Sequence, residues 1–198
     1  MLKFIELLDL DNLSSLENTT YDTLVDWINT GFFRYYDSLQ TTIPDLTTFK
    51  NAGGKLLHYH GESDPSIPPA SSVRYREAVR NAMYPNSTSD EDLQEFDDWY
   101  QFYLIPGYAH CGTNSLQPGP SPEKNMEIMI DWVENGNTPT GLNTTVTTGS
   151  TYSGEEQLLC KWPSRPLWSS DDSFDCVYDE DSYSSWIYDL NAFKVEVY

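Results

Sequence analysis

Apolar residues in this chain fall either into stripes at helical spacing or into short continuous runs that stop at Gly/Pro turns. Residues 1–19 mix acids, amides and Leu without a sustained period and predict only a loosely helical lead-in. Residues 20–30 place Leu24, Val25 and Ile28 on one helical face, with a box of Thr23 and Asp26 near the start and Gly31 to end the helix. The aromatic run Phe32, Phe33, Tyr35, Tyr36 then reads as packing against the body in preference to a ring-stacking surface. Asp45, after Pro44, predicts the N-cap of a short helix that turns Leu46 and Phe49 inward and stops at Gly53-Gly54. Residues 55–59 predict a first core strand, and Pro68-Pro69 opens a helix to about Met83 with Val73, Val79 and Met83 inward. Residues 86–98 read as an acidic surface insertion. Residues 99–105 are almost wholly apolar and aromatic, as a strand buried on both faces requires. A Gly/Pro/Ser loop then runs to Pro122, and residues 122–135 predict a helix whose stripe of Met126, Met129, Ile130 and Val133 packs in a core, capped by Gly136. From Thr138 the composition turns to Thr, Ser, Asp and Tyr, closing on an alternating run over residues 192–198.

The two strands end alike, each at a turn holding an ionisable residue: Asp64 in His60-Gly61-Glu62-Ser63-Asp64-Pro65 and His110 in Pro106-Gly107-Tyr108-Ala109-His110-Cys111. Carboxyl ends of parallel strands are where α/β sheets build sites, and acid then histidine is the second half of the chain order Ser…Asp…His. The separation of 46 residues leaves room for a crossover helix between neighbouring parallel strands. No serine sits in a G-x-S-x-G elbow, so the nucleophile is missing. Two other readings compete. His58 and His60 alternate on one strand face and, with Glu62 or Asp64, contain the donor types of a two-histidine, one-carboxylate metal site. A glycosylated binding or structural subunit without catalysis is the third.

With 198 residues, 38% hydrophobic and 14% aromatic, the chain can bury a core, yet only two parallel strands are legible, too few for a covered sheet, so half a domain is expected. A net charge of −20 repels nucleic acids and anionic membranes, and no run approaches the roughly 20 apolar residues of a membrane span. Sequons at Asn12, Asn18, Asn86 and Asn143 favour secretion. The acids that break the first apolar run rule out a signal peptide there, which suggests a fragment of a longer secreted precursor. Cys160 and Cys176 flank the turn-rich Pro163-Ser164-Arg165-Pro166 and are expected to pair. Closing a loop of about 15 residues is worth about 3 kcal/mol in the chain-entropy model. Cys111 is left over, and in a secreted protein an odd cysteine points to a partner on another chain, the alternative being a buried free thiol.

Three segments in order, Asp45-Leu46-Thr47-Thr48-Phe49-Lys50-Asn51-Ala52-Gly53-Gly54-Lys55, then His60-Gly61-Glu62-Ser63-Asp64-Pro65-Ser66-Ile67-Pro68, then Pro106-Gly107-Tyr108-Ala109-His110-Cys111, closely resemble the tannase and feruloyl esterase family of fungal α/β-hydrolases. The resemblance, spanning about residues 20 to 142, implies the C-terminal part of an α/β-hydrolase fold, the last core strands and helices of a mostly parallel sheet completed by a partner chain. On it, residues 1–40 correspond to the end of a lid and a connecting helix, 41–142 to the catalytic domain and 143–198 to a disulfide-tied wrap. It makes Asp64 and His110 the acid and base of a Ser-His-Asp triad. It also makes the partner of Cys111 the cysteine beside the serine, on a serine-bearing N-terminal chain of the same precursor. The tail from Cys160 to Pro166 departs from the feruloyl esterase ending, so the implied reaction is hydrolysis of galloyl esters and depsides, with feruloyl esters as the alternative. No cofactor is implied in this chain, and any structural calcium of the family falls on the partner's lid. The expected location is extracellular.

Overall fold

The computed structural model describes residues 4, 5, 7, 17–39, 41–87, 90–116, 118–146, 152–170 and 173–187. Asn12 and the alternating run over 192–198 lie outside the described residues. The chain divides into two compact units, Met1–Ile43 with Leu190–Tyr198, and Pro44–Asp189. In the first, α1 (Tyr21–Tyr35) is capped one turn earlier than the sequence suggests, by a reciprocal box of Thr20 and Thr23 and not by Thr23 with Asp26. It runs through Gly31 because the aromatic residues beyond continue the helix, and one interior glycine costs only about 1 kcal/mol. Trp27 is its buried residue, whereas Leu24 and Ile28 are exposed.

In the second unit α2 (Thr47–Asn51) starts just after Asp45, whose Oδ1 accepts the Thr47 N–H at 2.9 Å. β1 (Leu56–Gly61) and β2 (Tyr100–Ile105) pair in parallel, with Leu56 opposite Tyr100 and Gly61 opposite Ile105. Between them run α3 (Pro69–Met83), opened by proline at its first position, and α4 (Asp90–Asp97). The acidic stretch around α4 is therefore more than a surface insertion, because Phe96, three residues after Leu93, is fully buried. β2 is buried on both faces. Tyr100 and Phe102 pack with Val73, Val79, Phe96, Trp99 and Trp162 on one side, and Tyr103 and Ile105 with Leu142 and Leu159 on the other. Gln101 is satisfied within this core by the Asp97 carbonyl and the Tyr103 hydroxyl.

Beyond β2 come the short hairpin β3 (Tyr108–Ala109) and β4 (Gly112–Thr113), then β5 (Pro120–Ser121) and α5 (Asn125–Asn135), which Gly136 ends in the left-handed region at φ 72°. On α5 most of the expected inward stripe faces outward: Met126, Ile130 and Val133 are exposed and Met129 is half-buried, while Trp132 is buried and Ile128 packs against the Tyr103 cluster. Trp132 and Ile128, four apart, share one helical face, on which Trp132 is the fully buried residue. β6 (Leu142–Val146) and β7 (Glu156–Leu159) form an antiparallel sheet with β5, followed by the hairpin β8 (Arg165–Ser170) and β9 (Ser173–Val177) and by α6 (Glu180–Trp186). Cys160 and Cys176 are joined by a disulfide. Among the described residues no helix is long and apolar enough to cross a membrane.

The C-terminal segment is docked on α3 through a buried carboxylate. Glu77 accepts from Arg76 at 2.7 Å, Arg80 at 2.8 Å, the Trp162 indole at 3.1 Å and the Tyr183 hydroxyl at 3.2 Å, while Asp97 takes the other face of Arg76 and Lys161. Burial alone raises the Glu77 pKa, but the Arg76 guanidinium and the other donors outweigh it, and the net direction is down. A carboxylate with a depressed folded pKa adds stability above the ordinary glutamate range and loses it as pH falls through the depressed value. Removing one partner of a buried ion pair costs about 3–5 kcal/mol. Glu77→Ala is thus expected to lower unfolding free energy by about that much. The loss should shrink as acid denaturation is approached, both measured by urea titration followed by Trp fluorescence at several pH values.

Candidate active site

Asp64 lies in the turn that follows β1, its side chain only 6% exposed. Its Oδ1 accepts the backbone N–H groups of Ser66 at 2.8 Å and Ile67 at 2.9 Å, an Asx-type turn closed at Pro65. Its Oδ2 accepts from His110 Nδ1 at 3.0 Å. Burial alone raises this carboxyl, yet the Ile67 N–H, the His110 ring and the Ser66 N–H together hold it well below the usual carboxylate range. A carboxylate can only accept, so Nδ1 of His110 carries the proton and Nε2 is left as the basic nitrogen. His110 is 49% exposed, which leaves the ring open to an incoming group.

His110 and Cys111 are the two turn residues of the β3–β4 hairpin, between Ala109 and Gly112. This hairpin can reach the acid only because residue 61 is glycine: a Cβ there would stand 2.1 Å from the Tyr108 carbonyl oxygen. The same oxygen accepts the Ser63 N–H at 3.1 Å, tying the acid's turn to the base's hairpin through backbone. Cys111 is an exposed free cysteine held at φ 55°, a left-handed conformation that costs a non-glycine residue about 1–2 kcal/mol. Its thiol is thus on the surface, not buried, and one residue from the base.

His58 and His60 do share a strand face, and both meet Ser72 in the first turn of α3, at 3.1 and 2.7 Å. Their remaining nitrogens lie 2.9 Å from the Tyr100 hydroxyl for His58 and 3.1 Å from the Ile67 carbonyl for His60. Burial, and the neighbouring His60, push His58 down to about 4, a neutral ring at any ordinary pH. Among the described residues no group of three His, Cys, Asp or Glu side chains is placed to hold a metal ion. His60, four residues before Asp64, stands 3.3 Å from its Oδ2. A cleft of about 100 Å³ at the same strand ends is lined by Glu62, Leu104, Pro106, Trp162, Arg165 and Trp186. It is small against the roughly 300–1,000 Å³ of ligand pockets. Asn18, Asn86 and Asn143 are exposed.

The model of the family described as "Tannase and feruloyl esterase" matches residues 1–183. A tannase of Aspergillus oryzae is 70% identical over 196 residues, which are 99% of this chain and 33% of that protein. A probable feruloyl esterase of Arthroderma benhamiae is 35% identical over 146 residues, 71% of this chain and 26% of the relative. The solved tannin acyl hydrolase from Aspergillus niger matches with TM-score 0.90 at 48% identity, covering 100% of this chain and 36% of that one. Feruloyl esterase B from Aspergillus oryzae matches with TM-score 0.63 at 28% identity, over 82% of this chain and 34% of its own. The chain thus spans about a third of the length of the relatives it matches. It belongs to the tannase and feruloyl esterase family.

Proposed function

We propose that this chain is the acid- and base-bearing part of a secreted serine esterase that hydrolyses galloyl esters and depsides of tannins and releases gallic acid. The observation that carries the reading is the 3.0 Å contact of His110 Nδ1 with an Asp64 carboxylate clamped by two backbone N–H groups, at the ends of two parallel strands. His110 Nε2 takes the proton of a serine on a companion chain as that serine attacks the ester carbonyl. Asp64 holds the tautomer and stabilises the imidazolium, and the acyl-enzyme then yields to water by the same route. On this reading β1 and β2 are the last strands of an α/β-hydrolase sheet whose remaining strands the companion supplies. The exposed Met126, Ile130 and Val133 of α5 suit such cover. The sequons Asn12, Asn18, Asn86 and Asn143 are the glycosylation sites, and any structural calcium belongs to the companion's lid. Galloyl is preferred to feruloyl because identity is 70% to a tannase against 35% to a probable feruloyl esterase.

Asp64→Asn in the assembled enzyme is expected to lower kcat on an alkyl gallate by on the order of 10⁴-fold while leaving folding intact, because the amide favours the wrong imidazole tautomer. Tyr108→Phe and His58→Gln should cost far less. Near-normal turnover of Asp64→Asn would reassign the acid, and faster cleavage of an alkyl ferulate than of the gallate would move the substrate to the feruloyl class.

The exposed Cys111 pairs, on the same reading, with the cysteine beside the companion's serine, which sets the distance from base to nucleophile through a short covalent path. Without reductant this chain should migrate with a larger glycosylated chain and separate from it once reduced. Cys111→Ala should abolish the linkage and most activity, whereas Cys160→Ala should mainly lower stability. Peptide mapping that found Cys111 as a free thiol in an active preparation would remove the tether.

A further inference from the structure

All three histidines of the chain lie on one hydrogen-bonded path that ends at Asp64, and the direction of the bonds nearest Asp64 is fixed by chemistry. The Ile67 carbonyl only accepts, so the His60 nitrogen 3.1 Å from it, Nε2, must carry the proton. Nδ1 of His60 lies 2.7 Å from the Ser72 hydroxyl. The same hydroxyl lies 3.1 Å from His58 Nε2, and His58 Nδ1 lies 2.9 Å from the Tyr100 hydroxyl. Burial raises the Tyr100 pKa and lowers that of His58, which keeps a donor and a neutral ring at the far end of the path.

The path has a use at its near end. The Ile67 carbonyl that His60 holds belongs to the residue whose N–H clamps Asp64 Oδ1 at 2.9 Å, so His60 grips the acid's turn from outside while the carboxylate grips it from within. The same Nε2 stands 3.3 Å from Oδ2, the oxygen that receives His110, and the His60 side chain is only 11% exposed. We infer that His60, oriented by Ser72 and His58, is a positioning residue for the acid: it fixes the Asp64 turn and the rotation of the carboxylate that meets His110. The inference rests on the reading of Asp64 and His110 as acid and base.

Removing the supporting partner of a site ligand characteristically costs about 10–100-fold in function. In the assembled enzyme, His60→Leu is expected to lower kcat on an alkyl gallate by about that factor with KM little changed, since substrate contacts are not touched. His60→Gln, whose amide can still donate to the Ile67 carbonyl, should recover most of the loss. Ser72→Ala should give a smaller loss of the same kind. The downfield proton resonance of the His110 Nδ1–H on Asp64 should shift or broaden in His60→Leu and be restored in His60→Gln. Where His60→Leu fails to assemble, Ser72→Ala decides. Unchanged kcat and resonance in the folded variant, or equal losses in His60→Leu and His60→Gln, overturn the positioning role. If Asp64→Asn also retains turnover, the reading of the acid fails instead, and the two failures are told apart.

Discussion

The site depends on the approach of two backbones at one end of a parallel strand pair. Because β1 and β2 are in register to their last residues, the segments that leave them compete for the same sheet end. Glycine at 61 removes the side chain that would occupy the place of the Tyr108 carbonyl, and the Ser63 N–H then makes that carbonyl a bond partner. The separation of Asp64 from His110 is in this way set by main chain. What remains adjustable is the rotation of each side chain. For Asp64 the Ser66 and Ile67 N–H groups remove that freedom on one oxygen, with His110 and the nearby His60 on the other.

How much of this was legible in sequence follows from the range of each interaction. The strands and α3 announce themselves through local composition and Gly/Pro punctuation, and the two ionisable turn residues fall at strand ends that any parallel pairing brings together. The face of α5 was not legible, because Met126, Ile130 and Val133 make as good a stripe as Ile128 and Trp132, and the choice depends on which neighbours exist to bury them. Phe96 was hidden in an acidic stretch for a similar reason: its burial is decided by Trp99 and Tyr100 folding back on it, which charge counts do not register. Gly31 was read as a stop by a local rule that the following aromatic residues override. For His58 and His60 a metal competes in sequence with packing or a hydrogen bond to a neighbouring turn, and the structure shows the hydrogen bond, His60 to the Ile67 carbonyl. Alternation on a strand shows that two histidines share a face and says nothing of what stands opposite. Ser72, fourteen residues from His58 and on another element, is visible only in three dimensions.

Electrostatics shape the rest of the second unit. A chain of net charge −20 with 11 Lys and Arg repels itself in the compact state, so the placement of the few cations matters more than in a balanced protein. Arg76, Arg80 and Lys161 all converge on Glu77 and Asp97, the point where α3, α4 and the C-terminal segment meet. Burying these groups together has a desolvation cost that an apolar cluster would avoid. What the arrangement adds is direction: four donors on one carboxylate fix how Trp162 and Tyr183 lie on α3, and Trp162 in turn donates its backbone N–H to Phe102 of β2.

Asp64 and His110 are held by opposite means, and the difference bears on how a docking group could reach them. Asp64 is 6% exposed and bonded on both oxygens, so its environment changes little when anything docks nearby. His110 sits at the tip of a two-residue turn, 49% exposed, bound through one nitrogen. Immediately after it the backbone enters the left-handed region at Cys111, a conformation a cysteine adopts only against its preference and which the Gly112–Thr113 strand must maintain. Strain of that kind persists where surrounding structure dictates it, and here it directs the thiol outward beside the base. On the proposed reading a disulfide formed there holds the base against the serine.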